Sequence, residues 1–309
     1  MTLVERTLNY LQERIDKLTN GGVNSIPSPL IRFSDDFIGI EQKKYSVVTG
    51  SQKSGKTQLA SYLFLYTPLM YAYNHPDKVR VKIFYYPLEE SPEDVMLRFM
   101  SWLLNVMSRG KIRVSPTDLQ SSRNSKPLNS EVLDLLRSAE YNKVLKYFED
   151  HVEFSSSRNP TGVWNEVKKY MEEHGKVVTK KQKIKDEFGR LLEVDAFDYY
   201  EPDDPDEYVL VFFDHLSLVQ VERGMTLKQT ADKLSEYCVN LRNRYRVTPV
   251  IIQQQMAEME SLDAYKQNKM RPTAQGLADT KYTSRDCNVL LGVFSPFRHE
   301  LKEYKGYTS

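Results

Sequence analysis

Gly50-Ser51-Gln52-Lys53-Ser54-Gly55-Lys56-Thr57 satisfies every fixed position of the phosphate-loop pattern G-x-x-x-x-G-K-[S/T]. Its surroundings fit as well. Tyr45–Thr49 reads as a buried strand, and Gln58 to about Tyr73 reads as a helix. In a strand–loop–helix of this kind the glycines let backbone N–H groups turn inward around phosphate oxygens. The helix N-terminus adds favourable partial charge. Lys56 then reaches the β- and γ-phosphates, and the Thr57 hydroxyl is a ligand for Mg²⁺. All eight residues are candidate nucleotide contacts.

Such a site also needs a carboxylate for the metal. Val209-Leu210-Val211-Phe212-Phe213-Asp214 is an apolar strand ending in Asp, and a buried strand carries a charge most easily at its tip. Asp214 is therefore the second candidate Mg²⁺ ligand, with an ordinary strand-end turn as the plain alternative. The next residue is His215, so no glutamate directly follows the metal carboxylate. The Asn-Lys pairs continue as Asn142-Lys143-Val144-Leu145 and Asn268-Lys269-Met270-Arg271, so no guanine-reading N-K-x-D motif is present. A base for water is instead expected at the end of the strand Val79–Tyr86, where Glu89 and Glu90 follow. Glu90-Ser91-Pro92 also reads as a helix start, so the two glutamates divide into a catalytic and a structural role.

The rest of the chain alternates strands and helices. Helices are expected at Ser91–Met107, near 131–147, from Pro160 to Glu173, and around Leu227, Ala231, Leu234, Cys238 and Leu241. Further strands are expected at Val152–Ser155, Pro249–Ile252 and Asn288–Phe294. This alternation predicts an α/β fold with a mostly parallel, doubly wound sheet. Residues 109–132 and 257–284 read as polar loop. Residues 176–206 alternate like two strands around Glu187-Phe188-Gly189 and read as a β-hairpin insertion. Val4, Leu8, Leu11, Ile15 and Leu18 share one face of an N-terminal helix that Asn20-Gly21-Gly22 stops. That predicts an arm at 1–25 and a single large domain at 26–309. The arm's apolar face either covers its own domain or, as linker helices do in the family that the motifs below resemble, docks on a neighbouring subunit.

Composition narrows the partners. The formal net charge of +1 means that any nucleic acid must be held by local loops rather than by the whole molecule. No apolar run reaches the ~18 residues of a membrane span. The N-terminus is too polar for a signal peptide. The two cysteines, Cys238 and Cys287, have neither metal nor disulfide spacing. A reducing cytoplasm is the expected location.

In this order, the motifs resemble the RecA-like domain of DnaB-type replicative helicases. Phe33-Ser34-Asp35-Asp36-Phe37-Ile38-Gly39-Ile40 stands where the family has "L-D-x-x-x-G-G-L". Tyr85-Tyr86-Pro87-Leu88-Glu89-Glu90-Ser91 is similar to "F-S-L-E-M-S", and Phe213-Asp214-His215-Leu216-Ser217-Leu218 to "I-D-Y-L-Q-L". Thr248-Pro249-Val250-Ile251-Ile252-Gln253-Gln254-Gln255-Met256 is similar to "V-P-V-I-x-L-S-Q-L". The resemblance covers roughly residues 30–295. It implies a RecA-like P-loop ATPase that uses Mg²⁺ with ATP, with Glu89 as general base, Lys56 as charge stabiliser and Gln255 as γ-phosphate sensor. It further implies a homo-hexamer translocating on single-stranded DNA. The same fold also serves strand-exchange recombinases and non-motor ATPases that act as loaders or switches.

The family grips DNA through loops facing the ring channel, and Gln275–Thr283 is the matching segment. Lys281 is its cation, Lys266, Lys269 and Arg271 precede it, and Arg223 beside Gly224 is a second candidate. A solvated loop with scattered charge is the plain alternative. The sequence has no counterpart of the family's N-terminal primase-binding domain, and in that it is similar to compact phage helicases. The family's arginine finger is not identifiable. Arg298, Lys302 and Lys305 are the basic residues near Ser309, which implies a chain truncated at its C-terminal end.

Overall fold

The computed structural model describes residues 2–308 except 125, 186, 262, 263, 265–269, 302 and 305. The chain opens with helix α1 (Leu3–Thr19), started by a capping box between Thr2 and Glu5. A two-residue antiparallel bridge between β1 (Ile26–Pro27) and β2 (Gly39–Ile40) then leads into the main sheet. The central strands are β3 (Ser46–Gly50), β4 (Arg80–Pro87), β5 (Val152–Phe154), β8 (Glu207–Asp214), β9 (Thr248–Gln254) and β10 (Val289–Val293). They lie in the order β10-β3-β9-β8-β4-β5, and every neighbouring pair is parallel. The strand–helix alternation of the sequence predicts such a sheet, because each parallel return needs a crossover.

Helices cover both faces of this sheet. On one face Val48, Ile83, Tyr85, Phe212 and Ile252 meet a helical layer through Leu63, Phe64, Phe99 and Phe148. That layer comprises α2 (Lys56–Ser61), α3 (Thr67–Asn74), α4 (Pro92–Met107) and α7 (Ala139–His151). On the other face Val47, Phe84, Val211, Phe213 and Ile251 meet α8 (Pro160–Glu173) and α9 (Leu227–Tyr245). Alternate residues of β4 and β8 therefore enter opposite cores, and these strands read as continuous apolar runs for that reason. The fold is thus α/β and doubly wound.

Several elements depart from the sequence reading. The helix after the phosphate loop continues from α2 to α3 through one π-helical turn at Tyr62–Tyr66. The stretch expected as loop at 109–132 contains a short helix, α5 (Pro116–Leu119), capped by Ser115. The single helix expected near 131–147 is two, α6 (Ser130–Arg137) and α7, because Ser138 is extended (ψ 152°) between them. The hairpin expected at 176–206, by contrast, is present as β6 (Gly175–Lys185) and β7 (Leu191–Pro202), with a bulge at Val178/Thr179. Its stem is fixed where the Tyr200 hydroxyl donates to the carbonyls of Met171 and His174.

No residue of α1 is buried. Leu3, Val4, Leu8, Leu11, Ile15 and Leu18 are all at least half exposed. The helix lies on its own domain through polar contacts, Arg6 with Asp198, Arg14 with Glu41 and Lys17 with Asp206. Of the two roles open for the apolar face, covering its own domain is the one this arrangement does not provide. Among the described residues no helix is long and apolar enough to cross a membrane.

Candidate active site and nucleotide-linked loops

The phosphate loop spans the gap between β3 and α2. Gly50 ends β3, and a Cβ there would lie 2.5 Å from Ser54 Oγ and 2.6 Å from the Val293 carbonyl, so only glycine fits. Gly55 stands at the N-cap of α2 with φ +91°, a conformation that a side chain would strain. Lys56 is buried, and its ammonium donates to the Ser51 carbonyl at 3.3 Å, lying across the loop it would serve. Ser54 Oγ is buried with no hydrogen-bond partner among the described residues, as a group that takes a phosphate oxygen would be.

The Thr57 hydroxyl donates to Asp214 Oδ1 at 3.3 Å, and the buried Tyr85 hydroxyl donates to Asp214 Oδ2 at 3.4 Å. Burial pushes the Asp214 carboxyl up to about 6. Glu90 pushes further in that direction, Arg98 opposes it, Glu89 adds to it, and the Thr57 hydrogen bond opposes it. A carboxylate held in this way is short of positive charge, which a divalent cation would supply. Hydroxyl and carboxylate oxygens are the ligands Mg²⁺ takes, usually together with substrate phosphates. Among the described residues no cluster of three or more His, Cys, Asp or Glu could hold an ion unaided, so phosphate oxygens and water would complete the shell. Thr57 and Asp214 thus fit Mg²⁺ bound with a nucleotide.

The tip of β4 lies beside this pair because the strands are in register. Tyr85 stands beside Phe212, Tyr86 beside Phe213 and Pro87 beside Asp214. Tyr85 stacks on Phe212 and Tyr86 on Phe213, with centroids 4.8 and 4.7 Å apart, one pair in each core. The Leu88 N–H then donates to the Asp214 carbonyl at 2.9 Å. Glu90 turns back to an ion pair with Arg98 of α4. Glu89 stays exposed, with Oε2 3.5 Å from His215 Nε2. The helix start predicted at Glu90-Ser91-Pro92 is present too, with Ser91 Oγ accepting the Asp94 N–H.

The three glutamines at and just after the end of β9 go to three places. Gln253 donates to the carbonyls of Ala278 and Thr280 and accepts from the Thr283 hydroxyl. Gln254 lies 3.2 Å from His215 Nε2. Gln255 is buried beside the phosphate loop, donating to Thr49 Oγ1 at 2.9 Å and to the Thr273 carbonyl at 3.1 Å. Gln255 therefore joins the loop strand to the polar segment, while Gln254 is the glutamine beside His215.

That segment is consequently tied to the site. The Met256 N–H donates to the Gly276 carbonyl and the Ala278 N–H to the Gln254 carbonyl. Ser217 donates to Asp279 Oδ2 at 2.5 Å. Lys281 is exposed at the start of a short helix, Tyr282–Asp286. Next to it the exposed Tyr282 ring has Lys228 and Arg285 over it, 5.2 and 5.4 Å from its centroid. Arg223 is exposed in the turn before α9. Lys266 and Lys269 lie outside the described residues, as do Lys302 and Lys305. Arg298 sits in a short turn at Phe297–His299, just after β10.

Arg98, the role of His215 and the Tyr282 cluster were not picked out from the sequence. Arg98 had a signal. It stands among Val95, Phe99 and Trp102 on the apolar face of α4, where a guanidinium needs a partner. His215 was visible only as a departure from glutamate, and its neighbours come from β4 and β9, distant in sequence.

No family model matches the chain, and no curated protein matches it by sequence. Solved structures do. One, described as an ATPase domain, superposes with a TM-score of 0.62 at 12% identity, over 94% of this chain and 82% of that one. A DnaB-like replicative helicase, studied with its primase interactions, superposes with a TM-score of 0.62 at 12% identity, over 99% of this chain. The chain spans 60% of the length of that helicase. At this identity the likeness concerns the architecture of the chain. The chain has the RecA-like fold found in the ATPase domains of DnaB-type helicases.

Proposed function

We propose that the chain is an ATP-hydrolysing motor domain that translocates on single-stranded DNA as a ring of identical subunits, in the manner of a replicative helicase. One observation carries the reading. The Gly50–Thr57 loop, the Asp214 carboxylate and the exposed Glu89 converge at one end of the sheet, and Gln253 and Gln255 bond the same place to the loop that carries Lys281 and Tyr282. Bound Mg²⁺ would be held by Thr57 and Asp214 and would neutralise charge on the phosphates. Lys56 leaves the Ser51 carbonyl to meet the β/γ-phosphate oxygens. Glu89 accepts the proton of the attacking water, because Glu90 is engaged by Arg98. Gln255, as the γ-phosphate sensor, spans Thr49 at the phosphate loop and Thr273 at the polar segment, so a shift at one end is felt at the other.

Lys281, Tyr282 and Arg285 supply the phosphate contacts and stacking surface that single strands need, with Arg223 on a second loop. Lys266 and Lys269 belong to the same polar stretch. The exposed apolar stripe of α1 supports self-assembly, since a neighbouring subunit would bury it. The test is ATP turnover with and without single-stranded DNA, alongside native mass. Turnover indifferent to DNA would favour a loader or switch. Open filaments on DNA, rather than closed rings, would favour a recombinase.

A further inference from the structure

One ring nitrogen of His215 is claimed from two sides. Nε2 lies 3.5 Å from Glu89 Oε2 and 3.2 Å from the side-chain nitrogen of Gln254. A ring nitrogen carries either a hydrogen or a lone pair in the ring plane. It can donate to Glu89, or it can accept from the Gln254 amide. It cannot do both. If the amide is turned so that its oxygen faces the ring, Gln254 and Glu89 compete for the same hydrogen. The other ring nitrogen, Nδ1, is buried and has no hydrogen-bond partner among the described residues. A ring that served packing alone would be expected to bond both nitrogens, or to be apolar.

Both shoulders of His215 are joined to the 273–283 segment. On one side the Gln254 carbonyl accepts from the Ala278 N–H at 2.9 Å, and Gln253 and Gln255 hold Thr280, Thr283 and Thr273. On the other, Ser217 donates to Asp279 at 2.5 Å. A displacement of this segment therefore acts both on Gln254 and on the turn that follows His215.

We propose that His215 is a positioning residue that couples Glu89 to the tip of β9. With Gln254 withdrawn, the ring donates to Glu89 and fixes the carboxylate. With Gln254 engaged through its amide oxygen, the same Nε2–H turns to Gln254 and Glu89 is released, with no change in the ring's protonation. The segment that carries Lys281 thereby sets the orientation of the base. This inference rests on the ATPase reading above, with Glu89 as the base.

The experiment compares the unaltered chain with His215→Phe, His215→Gln and Gln254→Leu. Steady-state ATP turnover is measured with and without an oligo(dT) strand, and nucleotide binding is followed with a fluorescent ATP analogue. His215→Phe keeps the ring and loses the nitrogen. It should lower kcat ~10-fold or more, the scale of a misplaced base, leave KM for Mg·ATP nearly unchanged, and abolish the response to DNA. His215→Gln restores a donor and should recover most of kcat. Gln254→Leu should lose the response to DNA. A His215→Phe enzyme with normal kcat and normal DNA response overturns the inference. So does a raised KM with unchanged kcat, or a folded, nucleotide-binding His215→Gln enzyme as inactive as His215→Phe. Should His215→Phe not fold, Gln254→Leu decides, and a retained DNA response there is contradictory. An unaltered chain with no turnover that depends on Lys56 would remove the ATPase reading itself, and this inference with it.

Discussion

Glu90 is ion-paired to Arg98, while its neighbour Glu89 stays exposed beside His215. Two adjacent glutamates at one strand tip thus have different surroundings, and the difference separates their roles. Glu89→Gln should keep Mg·ATP binding and lose hydrolysis by ~10²-fold or more. Glu90→Gln removes the partner of a largely buried guanidinium, so its main effect should be on thermal stability. Measured turnover and melting temperature for the two variants check this. A dead Glu90→Gln beside an active Glu89→Gln would reverse the assignment.

Asp214 gives a pH dependence. Its folded carboxyl is raised from 3.8 to about 6, chiefly by burial. Ionising it therefore costs the folded, nucleotide-free state. The cost is absent below 3.8 and builds as pH rises through about 6. Asp214→Asn should accordingly stabilise the nucleotide-free chain at about pH 7.5, by roughly 1–3 kcal/mol, and remove Mg²⁺-dependent turnover. Affinity for Mg·ATP in the unaltered chain should fall as pH is lowered through about 6. Calorimetric melting at about pH 3 and about pH 7.5, and nucleotide titration at about pH 5 and about pH 7.5, test the two statements. A destabilised Asp214→Asn would show that the carboxylate is fully compensated within the protein.

Much of this was legible in the sequence because it is local. The phosphate loop is a run of eight residues. Asp214 announces itself as a charge ending an apolar strand, and the hairpin follows from alternation around Gly189. What the sequence withheld depends on which strands become neighbours. Gln253, Gln254 and Gln255 look alike in the chain, and only their placement between β3 and β8 sends each to a different partner. The break at Ser138 depends on a backbone dihedral that helical periodicity does not register. The outward-facing stripe of α1 was visible as a stripe, but sequence spacing does not say which side of a helix meets the domain.

Lys281 should be a phosphate contact and Tyr282 a stacking surface. Lys281→Ala is expected to weaken single-stranded DNA binding at moderate salt and to reduce the salt slope by about one contact. Tyr282→Ala should cost ~1–3 kcal/mol of binding with little change in slope. Fluorescence anisotropy over a salt series separates the two effects. Unaltered affinity and slope in both variants would return the loop to a solvated surface.

The apolar stripe of α1 predicts a change in assembly without a change in folding. Leu8→Glu with Leu11→Glu places charge on residues that are at least half exposed in the single chain. The melting temperature of the isolated subunit should stay within the small range of surface substitutions, about ±0.5 kcal/mol. The native mass should shift toward monomer. A fall in stability at unchanged mass would mean that the stripe is covered by its own chain.

The most direct measurement is ATP turnover by the unaltered chain and by Lys56→Ala, each with and without single-stranded DNA. Turnover in the unaltered chain should rise when DNA is added, and Lys56→Ala should show none above background under either condition. Turnover that ignores DNA, or that survives the loss of Lys56, would contradict a DNA-driven ATPase built on this phosphate loop.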